Sequence, residues 1–447
     1  MLAFKRNPRP LFFECLKSWL TELDPGKITS TPIVHLAFES LFVEELYDAV
    51  VDFIVEIFSV TAGTDYQDAE AMQPVTVLYE ELCRVSPRLG NLGTDPETFR
   101  GIIRMYAEAG EAWSGLIARD PDRYSYLVEC IARCTAYNED LDVTKITFKF
   151  WDEFTHLITL DPHKPARETF KPIYEGLIDI MISHLHYPPG NDRSDIFGGD
   201  REAEDKFRDF RHDMGDVIKD CCRVVGASEC LKKAYFAVNA KLQEQAQGRN
   251  VPWQDVEAPL FSMRMMAREV DVAEDTVVPE VMKLLVNLPE HDKIRYAATL
   301  VLGRYTEWTA KHPDYLEFQL NYISSGFSNK NKDVISAAAQ ALKHFCQDCK
   351  KVPSFFLNIS KRQLLVNHVA QLHPFYQNVS GALDVDSLFE VTEGVAHVVA
   401  AQQMDRIYDT MGSFCRPIVQ QIIAYNRKGL EATDEKGRKK VAGTHLF

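Results

Sequence analysis

The residues that could do chemistry in this sequence are cysteines and histidines, and one set of them is spaced almost like a zinc site. Cys346 and Cys349 form a C-x-x-C pair, and His368 and His373 follow downstream. Thiolate and imidazole groups from such a pattern bind Zn²⁺ in zinc fingers. Here the gap from Cys349 to His368 is longer than in a finger, and both cysteines lie in a strong helical pattern. We interpret them as packing residues of a helix, with a zinc-dependent enzyme as an alternative.

The other cysteines and histidines favour packing as well. Cys221 with Cys222, and Cys130 with Cys134, are expected to be small residues between helices. His184 and His186 would point to different faces of a helix, which makes them a poor ligand pair. The sequence contains no Walker A, G-x-G-x-x-G, H-E-x-x-H or G-x-S-x-G motif. We predict a protein that is not an enzyme and that needs no cofactor or metal.

An acidic stretch at residues 188–205 could instead serve binding. We expect an inter-helix loop here, followed by a helix from Lys206. A solvated loop leading into a charged first helical turn would explain the composition, because a helix N-terminus favours acidic residues. An acidic contact surface for a basic partner is the functional alternative. Its candidate partner-binding residues are Asp195, Asp200, Glu202, Glu204 and Asp205.

Composition narrows the class of protein. The 447 residues are 46% hydrophobic and 26% charged, as in an ordinary globular protein, and the formal net charge is −15. Nucleic-acid binders are usually basic, so we expect no direct nucleic-acid contact and favour basic protein partners. No apolar run is long enough to span a membrane. The ten cysteines are irregularly spaced, which favours reduced thiols in the cytoplasm or nucleus.

The elements that would position these residues are helices in a repeating array. Residues 294–302 (IRYAATLVL) align with residues 334–342 (VISAAAQAL) at an offset of 40, so that Ala-Ala pairs superpose. A helix–turn–helix unit with a period of ~40 residues is typical of HEAT and armadillo repeats. Paired alanines would let neighbouring helices approach closely.

Helical periodicity, with almost no strand-like alternation, extends along the rest of the chain. Residues 96–118, for example, read as one helix that begins at a proline after Thr94 and Asp95. We predict an all-α fold, an α-solenoid (superhelix) of HEAT/armadillo-type helical pairs. We expect residues 1–447 to form a single solenoid.

Three sequence blocks resemble a known family. They are residues 207–221 (FRDFRHDMGDVIKDC), 253–264 (WQDVEAPLFSMR) and 301–308 (VLGRYTEW). Together they resemble the karyopherin-β (importin-β) nuclear transport receptors, in the branch of transportin-SR and the fungal mRNA transport regulator. The acidic stretch 194–204 (SDIFGGDREAE) also fits the fungal form.

The resemblance implies a HEAT superhelix that shuttles between cytoplasm and nucleus and carries protein cargo through nuclear pores. Cargoes of this branch are serine/arginine-rich and related RNA-binding proteins, which suits an acidic chain. Ran-GTP binding would release the cargo in the nucleus, and the FG-repeat proteins of the nuclear pore would be further partners. Mechanistically, two ligands would compete for differently curved states of one solenoid.

Several stretches depart from the family pattern. Residues 352–363 (VPSFFLNISKRQ) look inserted, and residues 428–447, with the basic run from Lys436 to Lys440, form an off-pattern tail. By the resemblance, the chain lacks the N-terminal repeats that grip Ran-GTP and the C-terminal repeats. The alternatives are therefore a helical scaffold without transport function, and a fragment or wrongly assembled gene product without independent activity.

Overall fold

The computed structural model describes residues 9–20, 22–64, 67–90, 92, 95–189, 196–350, 365–366 and 369–431. In these ranges all regular structure is α-helix or short 3₁₀-helix, and they contain no β-strand. The prediction of an all-α fold is confirmed. Within the same ranges, no helix is both long enough and apolar enough to cross a membrane.

The chain divides into two compact units, Met1–Lys233 and Ala234–Phe447. The α-helices of the first unit are α1 (Pro10–Trp19), α2 (Pro25–Thr29), α3 (Ile33–Ser40), α4 (Tyr47–Ser59), α5 (Met72–Leu89), α6 (Pro96–Ala112), α7 (Ser114–Arg119), α8 (Pro121–Thr135), α9 (Leu141–Thr144), α10 (Phe148–Ile158), α11 (Lys164–His184) and α12 (Arg201–Val225). Short 3₁₀-helices span Glu44–Leu46, Lys145–Thr147 and Asp161–His163.

Helix α13 (Ala227–Ala246) contains the boundary between the units. The helices that follow it are α14 (Trp253–Met266), α15 (Val278–Leu285), α16 (Asp292–Arg304), α17 (Thr306–Lys311), α18 (Leu316–Gly326), α19 (Lys332–Asp348), α20 (Val369–Ser380), α21 (Val385–Ala400) and α22 (Met404–Glu431). A 3₁₀-helix spans Pro313–Tyr315.

Helix starts follow local capping chemistry. The Asp95 carboxylate accepts a hydrogen bond from the Thr98 backbone N–H at 2.9 Å, and Pro96 occupies the first turn of α6. The single helix predicted over residues 96–118 is wrong, because Trp113 leaves helical geometry and separates α6 from α7. Its buried indole Nε1 donates to Thr61 Oγ1 at 2.9 Å. The backbone break thus accompanies a side-chain anchor to an earlier part of the array.

Within each unit, alternate helices pack side by side in sequence order. In the first unit α1 contacts α4, α4 contacts α6, α6 contacts α10 and α10 contacts α12, while α8 contacts α11 beside them. In the second unit α14 contacts α16, α16 contacts α19 and α19 contacts α21. This is the arrangement of stacked helical pairs, as predicted for a HEAT-type α-solenoid.

The aligned sequence blocks correspond to α16 and α19, which pack against each other. Ala297, Ala298, Ala337 and Ala338 are all buried. A Cβ atom added at Gly303 of α16 would lie 3.0 Å from the Cα atom of Ala341 in α19. The small residues of the repeat therefore allow close backbone approach, which confirms the role assigned to them.

Hydrogen bonds from side chains to backbone carbonyls link successive repeats. The Tyr305 hydroxyl donates to the Met263 carbonyl at 3.1 Å, 42 residues away. The Tyr79 hydroxyl donates to the carbonyl of Arg123 at 2.9 Å, 44 residues away. These separations match the repeat period of ~40 residues.

Other predicted features of the chain lie partly or wholly outside the described residues. The stretch 352–363, predicted as an insertion, lies outside the described residues. Of the predicted tail, residues 428–431 belong to α22 and residues 432–447 lie outside the described residues. A single continuous solenoid over residues 1–447 stays a prediction.

Candidate functional site

The acidic candidate residues lie at the beginning of α12, except Asp195, which is outside the described residues. The Asp200 carboxylate accepts a hydrogen bond from the Ala203 N–H at 3.0 Å and so caps the helix. Glu202, Glu204 and Asp205 follow in the first turns and are exposed. Asp200 therefore has a structural role, and the other three carboxylates are available to a partner.

Helix α12 begins at Arg201, five residues before the predicted start at Lys206. The prediction treated the charged residues as loop because they lack an apolar face. In the structure the Asp200 cap and the acidic first turn stabilise helix there, since carboxylates interact favourably with the N-terminal end of the helix dipole.

Surface ion pairs hold two of the three carboxylates. Glu202 Oε1 lies 2.9 Å from Lys206 Nζ, and Asp205 Oδ1 lies 2.8 Å from an Arg208 guanidinium nitrogen. All four side chains are exposed, so these pairs are weak and readily exchanged for a pair with a partner.

Asp142 in α9 extends the acidic surface, and sequence reasoning missed it. The pKa of Lys206 is raised, first by its hydrogen bond to Glu202 and further by the negative charges of Asp142 and Asp200. Asp142 therefore faces the same lysine as the start of α12, although it lies far away in sequence. We name the exposed set Asp142, Glu202, Glu204 and Asp205 the acidic edge.

A buried carboxylate lies further along the same helix. Asp220 is 3% exposed, and its Oδ1 accepts a hydrogen bond from Arg223 Nη1 at 3.0 Å. Burial raises the pKa of Asp220 to about 7; Arg223 opposes this rise and the nearby Asp152 adds to it. A buried carboxylate on a polar-looking helix has no signal in the sequence, because only the fold decides which side of α12 is covered.

The C-x-x-C pair is part of the packed interior. Cys346 and Cys349 are both buried, and burial raises the pKa of Cys346 to about 12, so its thiol stays protonated near neutral pH. His373 Nε2 donates to the Ser413 carbonyl at 3.2 Å, and His368 lies outside the described residues. Where the chain is described, no three or more His, Cys, Asp or Glu side chains are grouped to hold a metal ion.

The paired cysteines are placed as their spacing indicates, whereas the two histidines do not share a helix, because α11 ends at His184. The four other paired cysteines, Cys130, Cys134, Cys221 and Cys222, are buried. His184 is buried and its Nε2 donates to the Thr135 carbonyl at 2.7 Å, whereas His186 lies beyond the end of α11 and is not buried. The interpretation of the four cysteines as helix-packing residues is confirmed.

Two family models match the chain. The second TPR domain of Transportin-3/Importin-13 matches residues 94–184, and the third TPR domain matches residues 275–358. Both matches cover helical pairs described above.

Curated relatives match nearly the whole chain. An uncharacterized protein of Schizosaccharomyces pombe is 44% identical over 421 residues, which are 92% of this chain and 42% of the relative. The mRNA transport regulator MTR10 of Saccharomyces cerevisiae is 36% identical over 438 residues, with 94% of this chain and 41% of the relative covered. Importin-13 of Gallus gallus is 25% identical over 426 residues, which are 92% of this chain and 42% of that protein. The chain thus spans about two fifths of the length of these relatives.

Solved structures of two karyopherins share the fold. Importin-13 in its cytosolic state superposes with a TM-score of 0.70 at 15% identity, covering 98% of this chain and 52% of that one. Kap121p bound to Nup53p superposes with a TM-score of 0.62 at 12% identity, covering 98% and 39%. Family models, relatives and fold agree, and the chain belongs to the karyopherin-β family, in the branch of the fungal mRNA transport regulator.

Proposed function

We propose that this chain acts in a nuclear import receptor that carries serine/arginine-rich or related RNA-binding proteins from cytoplasm to nucleus. The observation that carries the proposal is the 36% identity to an mRNA transport regulator along 94% of the chain. Ran-GTP would release the cargo, and FG-repeat proteins of the nuclear pore would bind during passage. A solved relative in complex with the nucleoporin Nup53p supports the pore contact.

The acidic edge is the proposed contact for arginine side chains of the cargo. Its carboxylates are exposed and held only by surface ion pairs with Lys206 and Arg208, which a guanidinium group can replace. An arginine fork binds a carboxylate through two parallel hydrogen bonds, and a lysine cannot form both. The edge should therefore prefer Arg-Ser repeats over Lys-Ser repeats.

Binding of a fluorescein-labelled Arg-Ser repeat peptide, measured by anisotropy, tests the cargo contact. The triple variant Glu202→Gln, Glu204→Gln and Asp205→Asn removes three charges and leaves the Asp200 cap intact. With ~0.5 kcal/mol for each exposed pair, affinity should fall by about tenfold. A variant with Asp122→Asn, Glu129→Gln and Glu168→Gln, all exposed on α8 and α11, is the matched control.

Equal losses of affinity in the two variants would reduce the edge to part of a general acidic field and contradict the assigned contact. In a receptor that joins this chain to the Ran-binding repeats expected from the resemblance, Ran-GTP should release the peptide. If the peptide binds and Ran-GTP leaves it bound, the chain behaves as a scaffold and the transport mechanism fails for it.

A further inference from the structure

A positive cluster lies in the second unit, at the ends of helices that pack side by side. Arg268 is exposed in the turn after α14, Arg304 is the last residue of α16 and is partly buried, and His344 lies in α19. Arg304 belongs to residues 301–308, one of the blocks that identified the family. Neither the fold nor the proposed cargo contact accounts for this cluster.

The ends of these helices lie side by side, because the hydroxyl of Tyr305, next to Arg304, donates to the Met263 carbonyl near the end of α14 at 3.1 Å. Burial lowers the pKa of Arg304, and the positive charge of Arg268 lowers it further. His344 Nδ1 donates to the Gly303 carbonyl at 3.0 Å, which holds the imidazole beside the end of α16. Burial and then the charge of Arg304 lower the pKa of His344.

The two arginines lack a carboxylate partner within the described part of the chain, where neither forms an ion pair. Two other basic residues of this unit are paired, since Lys241 lies 3.0 Å from Asp255 and Lys343 lies 2.8 Å from Glu393. Asp348, whose charge also acts on His344, accepts a hydrogen bond from Thr306 Oγ1 at 2.5 Å. A partly buried guanidinium beside a second one is unfavourable unless an anion compensates both.

We propose that Arg268 and Arg304, joined by His344 when it is protonated, bind an oxyanion, a carboxylate or a phosphate group, on an acidic segment of a partner protein. Guanidinium forks match the two oxygens of such a group. A protein segment fits better than a nucleic acid, because a chain of net charge −15 repels an extended polyanion. The site is independent of the proposed cargo contact, which has the opposite charge and lies in the other unit.

The protonation of His344 adds a pH dependence. Its Nδ1–H is used by the Gly303 carbonyl, so the neutral ring presents an acceptor at Nε2 and only the imidazolium can donate to an anion there. Arg304 and Lys343 disfavour the imidazolium, while Asp348 and, from the neighbouring helix α21, Glu393 favour it. A bound anion adds to the effect of these carboxylates, so affinity should rise as the pH falls below ~6.5, and His344→Gln should remove this rise.

The test uses the whole chain and labelled peptides in which Asp, phosphoserine or Asn alternates with Gly. We expect the Asp or the phosphoserine peptide to bind, which identifies the anion, and the Asn peptide to fail. Arg304→Gln and Arg268→Gln should each weaken binding at least ~tenfold. Arg249→Gln, at an exposed arginine that lies 3.8 Å from Glu244, is the control and should leave affinity unchanged.

Thermal unfolding separates binding from a structural role. Arg304→Gln should leave the Tm unchanged or raise it, because it relieves repulsion with Arg268. A clear fall in Tm would mean that Arg304 compensates a charge of its own chain and would overturn the proposal. So would equal affinity of Asp and Asn peptides, no effect of Arg268→Gln, or an oligouridylate that outcompetes both acidic peptides.

Discussion

Close backbone packing between successive repeats can be tested at Gly394 of α21. A Cβ atom added there would lie 3.0 Å from the Cα atom of Lys343 and 3.4 Å from the Cβ atom of Cys346 in α19. The first contact is closer than carbon atoms normally approach, and a backbone atom cannot turn away as a flexible side chain can. Gly394→Ala must therefore push α19 and α21 apart by several tenths of an ångström.

The expected cost follows from two opposing effects. Overpacking of a well-packed interface costs about 1–3 kcal/mol, whereas alanine is favoured over glycine in a helix by roughly 0.5–1 kcal/mol. The net loss should lie between about 0 and 2.5 kcal/mol, which lowers the Tm of a unit of this size by up to roughly 10 °C. Urea unfolding followed by circular dichroism measures it.

Gly176 in α11 is the matched control, because a Cβ atom added there meets nothing within 4 Å. Gly176→Ala should raise stability by roughly 0.5–1 kcal/mol through helix propensity alone. If Gly394→Ala stabilises the protein as much as Gly176→Ala does, the close approach of α19 and α21 is refuted, and with it the reason given for small residues in the repeat.

Two buried ionisable groups predict opposite pH effects on stability. The pKa of Asp220 is about 7 in the folded chain and ~3.9 in the unfolded chain. Between these pH values the folded state keeps a proton that the unfolded state has lost. The free energy of unfolding therefore falls as the pH rises from 4 to 7. Asp220→Asn should flatten this part of the profile and stabilise the protein at pH 8 by up to about 4 kcal/mol; an unchanged profile would show that Asp220 is solvated. Burial lowers the pKa of His184, and its hydrogen bond to the Thr135 carbonyl only partly opposes this lowering. As the pH falls, the unfolded state therefore takes up the proton before the folded state does. The free energy of unfolding falls as the pH drops below ~6.5. His184→Gln keeps a donor for that carbonyl and should remove the dependence, as chemical unfolding at pH 5, 6 and 7 would measure; a slope that survives the substitution must come from another group.

Sequence reasoning reached the fold class because the signals for it are local. The Ala-Ala pairs at Ala297 and Ala337 recur at a fixed spacing, and helical periodicity needs no knowledge of distant residues. Trp113 shows where such reasoning fails. The helix breaks there while the indole bonds to Thr61, 52 residues earlier, and no local pattern encodes that contact.

The candidate sites were less accessible to prediction, because their chemistry depends on which charges the fold pairs. Glu202 and Asp205 could be found from composition, but their neighbour Asp142 could not. Arg304 stood in a block used only to recognise the family, and its lack of a carboxylate partner within the described chain depends on the packing of α14, α16 and α19.

Pairing between helices separates structural charges from those available for binding. Asp52 of α4 lies 3.1 Å from Lys17 of α1 and 2.9 Å from Arg104 of α6, so one carboxylate links three helices that pack side by side. Lys343 of α19 links in the same way to Glu390 and Glu393 of α21. These charges are held by partners on neighbouring helices, and replacing one would leave the others uncompensated.

The acidic edge differs from these interhelical pairs, because Glu202 and Asp205 form ion pairs only within α12, across exposed turns. Arg268 and Arg304 also differ from them, because neither arginine has a carboxylate partner in the described chain. Ligands of opposite charge could therefore bind at these two places without breaking a link between repeats, and this is why we propose binding there and a structural role for the interhelical pairs.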